Sequence, residues 1–156
     1  MSVLDRLTRL FSAAPVAPEP KPLPPTDVPH ALGALLVRVA KADNHYAVQE
    51  ISQIDRVLAR LQGLGPIEAA KLRADCERLE TFAPGTDEFA HLLCRLTSYQ
   101  ARLDLTEALW EVVYADGATH QAEVDMMQVT QDHLAIQPDD CSAARAKAKA
   151  ALSSRT

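Results

Sequence analysis

The sequence predicts an all-helical fold, a compact bundle of about seven helices joined by short loops. Three observations support this prediction. Apolar residues recur at helical spacing along most of the chain, β-branched runs are scarce, and glycines and prolines interrupt the pattern between the periodic segments. With 156 residues, 47% of them hydrophobic and 24% charged, the chain is long enough for one domain with a buried core.

The first helix predicted is a short amphipathic segment, residues 1–12. Its apolar residues are spaced for one helix face, with two arginines on the other side: Val3, Leu4, Leu7, Leu10 and Phe11, and Arg6 and Arg9. Such a segment is typical of helices that contact an anionic membrane surface or a partner protein. The alternative is a weakly packed N-terminus, because an isolated helix of about three turns is marginal in water.

Residues 13–29 are predicted to be a semi-rigid linker, because they contain seven of the ten prolines. The globular domain is predicted over residues 30–150, followed by a flexible tail at 151–156. Apolar periodicity divides the domain into seven helices. They are centred on Leu32–Val39, Val48–Leu61, Ile67–Thr81, Phe89–Leu96, Ala101–Ala115, Val124–Leu134 and the segment that follows Pro138.

One stretch of the domain occurs twice. In Leu109–Val124 an apolar helix ends at Asp116 and Gly117, and the next helix begins near Glu123. The earlier stretch Leu36–Ile51 has the same layout.

When the two copies are aligned, Asp43, Asn44 and Glu50 stand at the positions of Asp116, Gly117 and Glu123. Glycine enters the left-handed backbone region freely, and asparagine is one of the few other residues that tolerates it. Because Asn44 stands where the later copy has Gly117, both turns are predicted to share one bend with a positive φ.

The four carboxylates of these turns, Asp43, Glu50, Asp116 and Glu123, have two interpretations. They can cap free amides and face the positive end of the helix dipole. Alternatively, each pair binds a divalent cation such as Ca²⁺, Mg²⁺ or Zn²⁺. One Asp and one Glu fall short of the roughly six to eight oxygens that Ca²⁺ takes, so carbonyls, water or the other copy must complete the shell. If the two copies face each other, all four carboxylates converge.

The later copy resembles the signature of the TerB-like tellurite-resistance family, with Ala115-Asp116-Gly117 after an apolar helix that contains Trp110. The similarity covers roughly residues 30–148, and the weaker copy at Asp43 fits the family's duplicated layout. In that copy Asn44-His45-Tyr46 replaces the Asp-Gly turn.

The resemblance implies a small, all-helical bacterial protein of the cytoplasm. It implies a link to tellurite resistance or the general stress response, and to protein complexes at the inner membrane face. No catalytic activity is established for such proteins, and their acidic residues have been suggested as metal sites. When these suggested metal sites are carried over by position, the implied ligand pairs are Asp43 with Glu50 and Asp116 with Glu123.

Charge and composition narrow the classes of partner and compartment. A net charge of −5 argues against nucleic-acid binding, which needs concentrated Lys and Arg. No apolar run approaches the roughly 20 residues of a membrane-spanning helix, and the start of the chain lacks a signal peptide's apolar region. The expected location is therefore the cytoplasm. A position peripheral to the inner membrane is what the resemblance and the basic segment 1–12 imply. Cys76, Cys94 and Cys141 lack metal-type spacing and are predicted to be free thiols.

The leading functional hypothesis is a non-enzymatic binding or scaffold module that engages a protein partner. One alternative is a metal-dependent hydrolase that uses the four turn carboxylates. Known helical metal centres pair Glu with Glu-x-x-His on facing helices, and the expectation that this chain lacks such a motif argues against the hydrolase. Another alternative is a purely structural dimerisation domain. His120 and His45 lie near Glu123 and Glu50, but without nearby cysteines they make a weak zinc pattern, and we expect them at partly solvated helix ends.

Overall fold

The computed structural model describes residues 22–82 and 85–154. Over these residues the chain forms seven α-helices and no strand, which confirms the predicted all-helical class. The helices are α1 Val28–Ala40, α2 Val48–Gln62, α3 Pro66–Phe82, α4 Thr86–Leu96, α5 Tyr99–Val113, α6 Gln121–His133 and α7 Pro138–Ser153. The amphipathic segment 1–12, and with it Val3, Leu4, Arg6, Leu7, Arg9, Leu10 and Phe11, lies outside the described residues. So does most of the linker.

The two ends of the helical region differ from the boundaries expected at residues 29/30 and 150/151. Helix α1 begins at Val28 and includes Pro29, because a proline in the first turn removes an N–H that has no helical partner anyway. The Asp27 side chain caps this end by accepting a hydrogen bond from the His30 backbone N–H at 3.0 Å. At the other end, α7 continues to Ser153.

Helix α1 is the centre of the bundle. It packs against α2, α3, α4, α5 and α6, and every residue of Ala31–Val37 is buried. The sequence predicted a single apolar stripe on this helix, whereas a helix surrounded by others is apolar on all sides. Gly33 lets α3 approach closely, since a Cβ added there would lie 2.2 Å from the Cys76 Sγ.

The second half of the bundle is built on α5, which packs against α7 and α6. The buried Trp110 ring stacks on Tyr114 with a centroid separation of 5.8 Å, and its Nε1–H donates to Gln131 Oε1 at 3.0 Å. Arg145 of α7 places its guanidinium 4.6 Å from the Trp110 ring centroid. The aromatic pair, whose members are one helical turn apart, is thus part of the core.

None of the helices in the described ranges has the length and apolar character needed to span a membrane.

Candidate metal centre

The two predicted turns have the same backbone geometry. Asn44 has φ 63° and Gly117 has φ 78°, so both enter the left-handed region, as predicted. The Asn44 N–H donates to Lys41 O at 3.1 Å, and the Gly117 N–H donates to Tyr114 O, the matching carbonyl, at 3.1 Å. The duplication seen in the sequence is therefore a duplication of backbone structure.

Each turn also uses its aspartate in the same way. Asp43 Oδ1 accepts from the His45 N–H at 2.9 Å, and Asp116 Oδ1 accepts from the Ala118 N–H at 3.0 Å. These bonds hold each aspartate within its turn. The second oxygen of each carboxylate, Oδ2, faces His120. That of Asp116 is hydrogen-bonded to His120 Nε2 at 3.3 Å, and that of Asp43 is buried without a hydrogen-bond partner.

Glu50 and Glu123 lie in the first turns of α2 and α6, and both residues are completely buried. Glu50 Oε1 accepts from the Ala47 N–H at 3.2 Å, which is the capping role considered for these residues. Glu50 Oε2 is buried without a partner, and so are both carboxylate oxygens of Glu123. Capping thus accounts for one oxygen of Glu50 and for neither oxygen of Glu123.

The carboxylates meet across the two copies. Asp43 Oδ2 lies 3.4 Å from His120 Nε2, and Asp116 Oδ2 lies 3.3 Å from the same nitrogen. Asp43, His120 and Glu123 each offer one ligand atom, and these three atoms lie within 4.8 Å of one another. The closest group therefore joins the α1–α2 turn to the start of α6, rather than pairing Asp43 with Glu50 and Asp116 with Glu123. We call Asp43, Glu50, Asp116, His120 and Glu123 the turn cluster.

His120 is the member of the turn cluster that sequence reasoning set aside. It occupies the N-cap position of α6, and its side chain is 41% exposed, so the expectation of a partly solvated helix end was correct. What the sequence did not reveal is that its ring nitrogen points between two aspartates. The available signal was its position four residues after Asp116 and three before Glu123, within reach of both.

Burial and mutual repulsion make two of these carboxyls hard to ionise. Burial raises the pKa of Glu123 to about 8, and the negative charges of Glu50, Asp43 and Asp116 add to this effect. Burial likewise raises the pKa of Glu50 to about 7, with further contributions from Asp116 and Asp43, while the Ala47 N–H acts in the opposite direction. Ionised oxygens buried without donors are costly, so the cluster favours protons or a cation.

The donor set fits a divalent cation. Two carboxylates and an imidazole, from Asp43, Glu123 and His120, bring ligand atoms within 4.8 Å of one another, and both kinds of group ligate metal ions in proteins. The buried oxygens of Glu123 and the Oε2 of Glu50 supply acceptors that the protein itself leaves unsatisfied. A cation bound among them would satisfy these oxygens and cancel the repulsion between the carboxylates.

A Glu-x-x-His sequence does occur once in the chain, from Glu88 to His91 in α4. Both of its side chains are exposed and line a surface groove beside Phe82 and Leu92. A bundle centre of the di-iron type needs two such motifs facing each other with partner glutamates. This single motif is not part of the turn cluster.

The fold and the site define an all-helical domain in which two copies of a helix–Asp–turn–Glu–helix unit share a buried carboxylate cluster. The family described as tellurite resistance protein TerB matches residues 30–146. This match covers most of the chain, and the chain belongs to that family, as the resemblance of its turn motif indicated. No curated protein and no solved structure matches the chain significantly.

Proposed function

We propose that this chain is a non-enzymatic TerB-like binding or scaffold module, associated with tellurite resistance or stress response, whose turn cluster binds a divalent cation. The single observation that carries the proposal is Glu123. Its carboxylate is completely buried, neither oxygen has a hydrogen-bond partner, and three other carboxylates surround it. A fold retains such an arrangement at a cost, which a bound cation removes.

A binding role is favoured over hydrolysis for two reasons. TerB domains are generally non-catalytic. In addition, Glu50 and Glu123 are fully buried, so the carboxylates that would have to act on a substrate face the inside of the cluster. General acid or base catalysis requires the carboxyl group to come within hydrogen-bonding distance of the substrate.

The cation also has a means of affecting a partner. The tips of both turns are exposed: Asn44 and His45 in one, and 117–119 in the other. Because Asp43 and Asp116 hold these tips by hydrogen bonds through Oδ1, a cation bound to their Oδ2 atoms would fix the two tips relative to each other and lower the negative charge beneath them. The proposed partner is a protein at the cytoplasmic face of the inner membrane that recognises this surface.

Calorimetric titration of the full chain with Ca²⁺, Mg²⁺ and Zn²⁺ tests the cation site. We expect the wild type to bind one cation and Glu123→Gln to lose this binding. Glu68→Gln is the matched control, because Glu68 also lies in the first turn of a helix but is exposed. If none of the three cations gives binding heat with the wild type, the cation part of the proposal is wrong.

Sedimentation with anionic vesicles tests the proposed membrane contact of residues 1–12. We expect the full chain to sediment with the vesicles, and a variant lacking residues 1–12, or carrying Arg6→Glu and Arg9→Glu, to remain in solution. Vesicles made only of zwitterionic lipid are the control. Equal sedimentation of all variants would show that this segment does not mediate the contact.

A further inference from the structure

We propose that His120 is a metal ligand and that it makes the turn cluster a site for a borderline transition-metal ion, Zn²⁺ in preference to Mg²⁺ or Ca²⁺. This inference rests on the proposed cation site and names the class of ion that the site takes. It also assigns the ion to both halves of the duplication, with Asp43 from the α1–α2 turn and His120 and Glu123 from the start of α6 as the central ligands.

The spacing of the ligand atoms is the first argument. His120 Nε2 lies 3.4 Å from Asp43 Oδ2 and 3.3 Å from Asp116 Oδ2. Two ligand atoms that are each about 2.0–2.1 Å from Zn²⁺ at a tetrahedral angle are separated by ~3.4 Å. Without a cation, the imidazole forms a long hydrogen bond to Asp116 and faces Asp43 at a similar distance. The same separations suit two ligands of one shared ion.

The local backbone fixes the imidazole relative to a buried carboxylate. His120 is the extended N-cap residue of α6, with φ −99° and ψ 135°, and its carbonyl accepts from the Glu123 N–H at 3.1 Å. The side chain of an N-cap residue commonly accepts from this first helical turn, but His120 makes no such bond. Its ring is directed instead towards the two aspartates.

The chemistry of the donors is the second argument. Ca²⁺ is ligated by oxygen alone, usually about six to eight atoms, and Mg²⁺ requires near-octahedral oxygen ligands and keeps several waters. Imidazole favours Zn²⁺ and its transition-metal neighbours. A set of three ligands that contains one nitrogen, with Asp116 and Glu50 beside it, therefore suits Zn²⁺ better than either hard ion.

The other turn shows that the nitrogen ligand is a feature of one copy only. Its histidine, His45, is exposed, and its Nδ1 lies 3.2 Å from the Asp43 backbone carbonyl. The two copies therefore contribute unequally, with carboxylates from both and an imidazole from the second. This asymmetry predicts one ion per chain rather than one ion per turn.

The test is a competition titration of the full chain against a chromophoric chelator with Zn²⁺, Mg²⁺ and Ca²⁺. The variants are His120→Asn, Glu123→Gln and the control His91→Asn, in which an exposed histidine of α4 is replaced. We expect the wild type and His91→Asn to prefer Zn²⁺ by roughly 100-fold or more. We expect His120→Asn to lose Zn²⁺ affinity by ~100-fold while its affinities for Mg²⁺ and Ca²⁺ change by less than about 3-fold.

Co²⁺ provides a second readout that does not depend on affinity alone. The visible absorption of bound Co²⁺ is intense in low-coordinate sites with nitrogen ligands, so the wild type should show a band that His120→Asn lacks at saturating Co²⁺. Thermal unfolding of His120→Asn in chelator checks the fold. All variants keep the three cysteines, so any adventitious binding of the metal ion to their thiols should be the same in each.

The two proposals fail in different ways. Zn²⁺ binding that survives in His120→Asn, or a wild type that prefers Mg²⁺ or Ca²⁺, overturns the assignment of His120. In either case, if the wild type binds a cation and Glu123→Gln does not, the proposed function is still supported. If the wild type binds no cation, both are wrong.

Discussion

Glu50 and Glu123, the matching residues of the two halves, are both completely buried, and the pKa of Glu123 is raised by this burial and then by the charge of Glu50. Each lies in the first turn of its helix, where an exposed glutamate would stabilise the helix through the dipole. Here the packing of the two halves removes both side chains from water and directs them into one cluster. The electrostatic cost of this arrangement makes the domain sensitive to pH and to cations.

The first prediction concerns the stability of the cation-free domain, which should fall as the pH rises from about 5 to 8. The folded state holds the protons of Glu50 and Glu123 up to pKa values of about 7 and about 8, whereas their model value is 4.5. The stability due to these raised pKa values is therefore fully present below about pH 4.5 and is lost as the pH rises through 7 and 8. Each unit of pKa difference corresponds to ~1.4 kcal/mol, so each of the two residues should account for a loss on the order of a few kcal/mol.

Urea denaturation in the presence of chelator, followed from pH 5 to 8, measures this dependence. The double variant Glu50→Gln/Glu123→Gln should show a flatter profile, because neither amide titrates. A wild-type profile as flat as that of the double variant would contradict the prediction.

The second prediction is that Glu123→Gln stabilises the cation-free domain at pH 8, by ~1–3 kcal/mol. Neither Glu123 oxygen accepts a hydrogen bond, so no accepted bond is lost, and a glutamine amide can replace the protonated carboxyl as donor to Asp43. The amide can also donate to the unpartnered oxygen of Glu50. Thermal unfolding in chelator measures the change, with Glu68→Gln expected to stay within about 0.5 kcal/mol of the wild type. A destabilised Glu123→Gln would support the capping interpretation.

Local patterns in the sequence were sufficient for the helices and for the shape of the duplicated turn. Apolar periodicity reports which face of a helix is buried, and a positive φ restricts the residue type, so Asn44 and Gly117 identified the shared bend. The entry of Pro29 into α1 was missed, because a proline-rich stretch was assigned to the linker as a whole although its last proline can occupy a first helical turn.

The composition of the turn cluster depends on how the two halves pack, which no local pattern encodes. The approach of Asp43 to His120 joins residues far apart in the chain, and it results from the packing of α1 against α5 and α6 and of α2 against α5. Sequence spacing therefore paired each aspartate with the glutamate of its own turn. His120 was set aside for the same reason, because its aspartate partners are visible only once the turns are placed together.

The third prediction concerns the contact of α1 with α3 at Gly33. A Cβ at this position would lie 2.2 Å from Cys76 Sγ and 3.1 Å from Cys76 Cβ, so Gly33→Ala should destabilise the domain by ~1–3 kcal/mol. Because the closest clash is with the sulfur, Cys76→Ala in the same chain should recover part of the loss. Urea denaturation of the two single variants and the double variant measures this coupling.

Gly65→Ala is the control for Gly33→Ala, since an added Cβ there would have no heavy atom within 4 Å and the residue has no positive φ. We expect it to cost less than ~1 kcal/mol, mainly through its position before α3. Alanine is a better helix former than glycine, so propensity alone would make Gly33→Ala stabilising. If Gly33→Ala were no less stable than Gly65→Ala, the contact with Cys76 would not constrain this position.

The fourth prediction concerns the docking of α7 on α5 through Arg145. Its guanidinium lies 4.6 Å from the Trp110 ring centroid, and its Nε donates to the Tyr114 hydroxyl at 2.8 Å. Arg145→Ala should destabilise the domain by about 1 kcal/mol, because it removes a cation–π contact and the packing of the arginine stem. Arg145→Lys should recover little of this, since an ammonium has neither the planar face nor the Nε–H that reaches Tyr114. Fluorescence of Trp110, the single tryptophan, reports the unfolding directly.

Lys149→Ala is the control, because Lys149 is an exposed basic residue of the same helix, and this substitution should leave the urea midpoint nearly unchanged. If Lys149→Ala and Arg145→Ala destabilised the domain equally, the effect would come from the helix dipole and not from the stacking on Trp110.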